Sequence, residues 1–130
     1  MATLPENYSY SADHEWLDAT ADAVVGSTVK VGITSVAAER LGEVVFAELP
    51  EVGDSLTAGE TCGEVESTKS VSDLYSPVTG TVTKVNDSVH DNYGVINEDP
   101  FVEGWLFEVE VTEAGELMTA QEYASANGVA

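Results

Sequence analysis

At 130 residues, 43% hydrophobic and 22% charged, the chain has the size and balance of one globular domain with its own core. No apolar run approaches the roughly 18 residues of a membrane span, and Met1 to Tyr10 holds neither the basic region nor the apolar stretch of a cleaved leader. Twenty-four Asp and Glu against four Lys and Arg give a net charge of −20, which repels phosphate backbones and anionic membrane surfaces.

In chain order, Val24-Val25 and Thr28 to Ile33 read as two strands joined by a Gly26-Ser27 hairpin. Ser35 to Leu41 reads as a short helix stopped by Gly42, with Arg40 suiting the dipole of its last turn. Glu43 to Glu48, Thr61 to Glu66, Val71 to Tyr75, Thr79 to Val85 and Trp105 to Val111 are short and rich in Val, Thr and aromatics, which predicts strands. Thr119-Ala120-Gln121-Glu122 has capping-box spacing and predicts a final helix over Ala120 to Asn127. A faint repeat relates Gly42-Glu43-Val44 with Asp54-Ser55-Leu56 to Gly80-Thr81-Val82 with Asp87-Ser88-Val89. It suggests two similar halves packed face to face. The expected domain is 1–130, with a core of about 8–112 and a C-terminal helical segment of about 113–127.

The four basic residues are few enough to take singly. Alternation puts Lys30 and Lys84 on the solvent faces of strands, and Arg40 belongs to the helix end. Lys69 is left over. It stands in Glu66-Ser67-Thr68-Lys69-Ser70, between two strands, with Asp73 following. A reactive Schiff-base lysine needs burial or cationic neighbours to lower its pKa, and Glu66 and Asp73 act the other way. The residues alone leave two readings: an ordinary exposed loop lysine, or an amine presented for another enzyme to acylate.

The remaining chemistry-bearing residues read as structural. A single cysteine, Cys62, excludes an internal disulfide and a Cys-rich zinc site, and reads as a small buried hydrophobe. The cytoplasm is the expected location. His14 and His90 lie in no nucleophile arrangement; His14 is expected beside Trp16, and His90 at the surface. Asp87, Asp91, Asn92, Asn97, Glu98 and Asp99 lack EF-hand spacing and read as a solvated loop, so no metal site is expected. Tyr8, Tyr10, Trp16, Trp105 and Phe107 read as packing. No glycine-rich phosphate loop is present.

Taken in order, several segments resemble one family. They are His14-Glu15-Trp16, Val31-Gly32-Ile33-Thr34, Leu41 to Phe46 with Glu48-Leu49-Pro50, and Glu64 to Lys69 with Ser72 to Pro77 and Gly80. Val85-Asn86, Asp91-Asn92, Asn97-Glu98-Asp99-Pro100 and Gly104-Trp105-Leu106 complete the set. The chain is similar to the H proteins of the glycine cleavage system, which are lipoyl-bearing carriers. Thr68 and Ser70 depart from the apolar residue and alanine common beside the modified lysine. Cys62 stands where a larger apolar residue is common, and Val95-Ile96 and the tail beyond Glu113 match loosely.

The resemblance implies a mainly β, lipoyl-domain-like barrel-sandwich hybrid with a short internal helix and a C-terminal helix. It implies lipoic acid bound covalently as lipoyllysine at Lys69, in a hairpin formed by Glu66, Ser67, Thr68, Ser70 and Asp73. Such an arm reaches on the order of 12–14 Å from the backbone. It further implies a non-catalytic carrier, a monomer, whose partners are a pyridoxal-phosphate glycine decarboxylase, a tetrahydrofolate-dependent aminomethyltransferase, a flavin-dependent dihydrolipoamide dehydrogenase and lipoylating enzymes. Glu15 and Asp73 are the candidate contacts for the ammonium of the aminomethyl group. Two alternatives stand beside it: a lipoyl or biotinyl domain of another complex, and an unmodified acidic binding domain. The Thr-Lys-Ser sequence lacks the Met-Lys-Met of biotin attachment, and the chain has no linker to a catalytic domain.

Overall fold

The computed structural model describes residues 4–128. The ends of the expected 1–130 span, with Met1 to Thr3 of the stretch read for a leader, lie outside the described residues.

Two sheets carry the fold. The larger is built from β1 (Ser9–Tyr10), β2 (Glu15–Leu17), β3 (Thr28–Ile33), β5 (Ser55–Leu56), β8 (Val78–Val85) and β9 (Phe107–Ala114), in the order β1-β2-β3-β9-β8-β5. The smaller has β4 (Val44–Glu48), β6 (Thr61–Ser67) and β7 (Val71–Tyr75), in the order β4-β6-β7. All strand pairs are antiparallel. Alternation decides what each sheet buries: in β9, Phe107, Val109 and Val111 are buried while Glu110 stays in solvent. Val31, Val82 and Val109 of the larger sheet and Val44, Val65 and Leu74 of the smaller share one core. This is the barrel-sandwich architecture expected.

Among the described residues, four helices accompany the sheets. α1 (Ser35–Leu41) is capped by the Thr34 hydroxyl, which accepts from Ala37 N–H, and it stops at Gly42 with φ 82°. α4 (Ala120–Ala126) begins with a complete capping box between Thr119 and Glu122. A second apolar cluster holds α4 in place: Tyr123 stacks on Tyr10 at 5.1 Å, and Trp16 and Phe101 lie in the same cluster. The Trp16 indole N–H donates to the carbonyls of Ile33 and Pro100, both at 3.0 Å. The His-Glu-Trp and Asn-Glu-Asp-Pro segments, far apart in sequence, therefore meet on one ring.

Several expectations are corrected. Val24-Val25 is a turn: Val24 is buried, Val25 is exposed, and Gly26 and Ser27 bond across to Val111 of β9, leaving no hairpin partner. The acidic stretch after Asn86 is not an open loop, since it contains α2 (Ser88–Asp91) and α3 (Val95–Glu98). The second copy of the repeat therefore ends in a helix where the first ends in β5, and the two sheets differ in strand number. The halves are not similar. β9 continues to Ala114, so the helical part of the C-terminal segment is α4 alone.

Candidate functional site

Lys69 sits at the tip of the β6–β7 hairpin. Ser67 closes that tip: its N–H donates to Ser70 O at 2.8 Å, and its Oγ accepts from the N–H groups of Lys69 and Ser70 at 3.3 and 3.1 Å. A serine hydroxyl thus satisfies donors that the sharp turn takes out of the ladder. Neither Thr68 nor Lys69 needs a positive φ. From below, Thr68 N–H donates to Glu43 O at 3.0 Å, tying the tip to the α1–β4 turn. The Lys69 side chain is exposed and its stem crosses Gly42. The structure brings together the hairpin residues singled out from sequence, with Glu66 paired opposite Val71 on the outer face.

Beside the hairpin lies a cleft of about 300 Å³, between the edge of β7, the residues before β2, and α1. Ile33, Leu41, Val65 and Leu74 supply apolar wall, and Ser70 to Asp73 bring the hairpin itself to the rim. Glu15 lines the same cleft yet is only 2% exposed. Its carboxyl accepts from Ser11 Oγ at 2.6 Å and from Tyr75 N–H at 3.3 Å. Burial outweighs these two hydrogen bonds and pushes its pKa up to about 8. Asp73 also lines the cleft, and its register places it opposite Glu64, which pairs in turn with Glu48. Three carboxylates in one cross-strand row repel one another.

The site contains more than sequence reasoning assigned to it. His14 does not pack beside Trp16. Its ring meets Tyr123 edge-on at 5.7 Å, with Nδ1 2.6 Å from the phenol oxygen and Nε2 3.4 Å from Arg40. Burial and the Arg40 charge lower the His14 pKa, keeping the ring neutral. With Arg40 donating to Nε2, the single ring proton sits on Nδ1 and is donated to Tyr123, whose hydroxyl lies 2.8 Å from Thr34 Oγ1. His14 itself stands at φ 71°, a left-handed conformation uncommon for a non-glycine residue. Glu15 follows immediately. Arg40, read from sequence as a helix-end cation, also lines the cleft. Cys62 is half-buried against the core, and burial raises its thiol to about 12; it is no thiolate. His90 is exposed, as expected, 3.1 Å from the Tyr93 hydroxyl.

Comparison with known proteins agrees with this geometry. The pattern of the family described as glycine cleavage H-protein matches residues 8–127. A glycine cleavage system H protein of Corynebacterium aurimucosum is 81% identical over 129 residues, covering 99% of each chain. That of Corynebacterium jeikeium is 61% identical, covering 98% of this chain and 99% of the relative. The crystal structure of a glycine cleavage system H protein from Mycobacterium marinum superposes with a TM-score of 0.93 at 53% identity, covering 97% of this chain and 100% of that one. The chain belongs to the glycine cleavage H-protein family, the non-catalytic lipoyl carriers of the glycine cleavage system.

Proposed function

We propose that Lys69 is the lipoylated residue and that the neighbouring cleft receives the arm when it is loaded. The observation that carries this is the pairing of an exposed lysine on a braced hairpin tip with a cleft that begins at the next residue, Ser70. The fit is chemical as well as spatial. Apolar walls from Ile33, Leu41, Val65 and Leu74 suit the hydrocarbon and sulfur of the arm. When bound, the lipoyl group supplies the thiol chemistry that carries the aminomethyl group of glycine. Glu15 offers a carboxyl that is withheld from water and stays protonated at neutral pH while no cation faces it. An incoming ammonium favours its ionised form. Asp73 adds negative potential at the rim, and lowered local dielectric strengthens both interactions relative to a surface ion pair.

The protein's own part is presentation, recognition and protection of the cargo. Its partners in this reading are the pyridoxal-phosphate glycine decarboxylase, the tetrahydrofolate-dependent aminomethyltransferase, the flavin-dependent dihydrolipoamide dehydrogenase and the enzymes that attach lipoate. It acts as a single-domain monomer in the cytoplasm. Lys69→Arg keeps the charge and most of the stem but offers no acylatable amine. Reconstitution with glycine and the three enzymes tests the reading: the variant folds normally and supports no glycine-dependent NADH formation. Retained turnover with Lys69→Arg overturns it.

A further inference from the structure

One side chain holds the turn on which Lys69 rests. Asn97, in α3, donates from Nδ2 to Gly42 O at 2.8 Å and to Ala38 O at 3.3 Å, and its Oδ1 accepts from Val44 N–H at 2.9 Å. It therefore bonds the last turn of α1, the residue that stops α1, and the first residue of β4. An amide is required, because only Asn or Gln combines two donors with an acceptor, and the shorter of them fits here. The turn so held continues to the hairpin tip through the bond from Thr68 N–H to Glu43 O. At Gly42 an added methyl group would lie 3.1 Å from Lys69 Cε and 3.7 Å from its Nζ. The stem is laid across bare backbone.

On the reading that Lys69 is the acylated residue, we infer that Asn97 is a positioning residue for lipoylation, fixing the α1–β4 turn as a seat for the Lys69 stem. Its partners are main-chain groups of the seat, so the effect passes from Asn97 to Glu43 O, to Thr68 N–H, and to the tip. This gives the Asn-Glu-Asp-Pro segment a function besides its Pro100 contact with Trp16. Without the amide, Gly42 O and Val44 N–H turn to water, and the turn is free to shift under the hairpin. Asn97→Asp keeps the acceptor, loses both donors, and sets a carboxylate against two carbonyl oxygens.

The test uses the full chain, prepared without lipoate, as parent, Asn97→Ala, Asn97→Asp and Gly42→Ala. Amide hydrogen exchange is read at Thr68 and, as a core reference, at Val65. Lipoylation is then followed with a purified lipoate ligase. In both Asn97 variants, Thr68 exchange rises about tenfold, the scale of one lost hydrogen bond, while Val65 is unchanged. The ligase KM rises with little change in kcat. Gly42→Ala leaves the Asn97 side chain in place but strains the φ 82° turn and crowds the stem, so it raises both Thr68 exchange and KM. Unchanged Thr68 exchange, or a rise only in step with Val65, overturns the inference; so does a parent-like KM in Gly42→Ala, which is decisive even if the Asn97 variants fail to fold. Mapping the modified peptide separates the two readings: lipoate on another lysine rejects Lys69 as the site, whereas exchange in the unmodified protein judges Asn97 on its own.

Discussion

Glu15→Gln should change how stability depends on pH more than it changes the fold. The folded carboxyl keeps its proton up to about pH 8, whereas an unperturbed glutamate gives it up near 4.5. Between those values the folded state binds more protons than the unfolded state, so stability is fully present below pH 4.5 and falls as pH rises toward 8. The slope for one group is about 1.4 kcal/mol per pH unit, with a ceiling of roughly 5 kcal/mol across the window. Two pH units at that slope give a loss of at most about 2–3 kcal/mol between pH 5.5 and 7.5, and water entering the cleft on ionisation makes it smaller. Gln keeps the acceptor for Ser11 and has no proton to lose. Urea unfolding of parent and variant at pH 5.5, 6.5, 7.5 and 8.5, at fixed salt, isolates the effect, because the other carboxylates are common to both. The two stabilities should diverge steadily through neutral pH in favour of Gln and run parallel above about pH 8. Parallel lines from 5.5 to 7.5 would refute the reasoning, because the carboxyl would then already be ionised in the fold.

Three further outcomes follow from the same geometry. Exchanging Thr68 and Lys69 shifts the amine one position along the hairpin and turns it toward the other face; lipoylation should drop sharply at unchanged melting temperature, and equal modification rates would show that local sequence alone guides the ligase. Tyr123→Phe removes the hydroxyl between His14 and Thr34 and should cost about 1–2 kcal/mol in urea unfolding, with no loss if the phenol only fills space. In the loaded carrier kept away from partner enzymes, Glu15→Gln and Asp73→Asn should each speed loss of the aminomethyl group, measured by intact mass over time, while Lys69 remains lipoylated; retention equal to the parent in both would mean that the arm is a free tether.

Local signals were readable in the sequence and long-range ones were not. α1 with Gly42, α4 with its capping box, and the hairpin around Lys69 are written within a few residues each. β1 and β5 are two residues long and exist only because of partners elsewhere, Ser9 opposite Leu17 and Ser55 opposite Thr81. Val24-Val25 has strand composition, but its neighbours' hydrogen bonds belong to β9. α2 and α3 have four residues each, too few for periodicity to register. Lys69 stood out because it was the basic residue without a structural explanation. Glu15 was reached only through family resemblance, since its burial arises from packing that residue identity does not encode. The pairing of His14 with Tyr123 spans 109 positions and left no local trace. The amide chemistry of Asn97 became readable only once Gly42 and Val44 were seen on either side of it.

The most direct test of Lys69 as the lipoylated residue is peptide mapping by mass spectrometry of the full chain produced with a lipoylating system and lipoate. The expected result is one lipoyl group per chain, found entirely on the peptide containing Lys69, with Lys30 and Lys84 unmodified. A lipoyl group on Lys30 or Lys84, or a chain that remains unmodified beside a positive control, would contradict it.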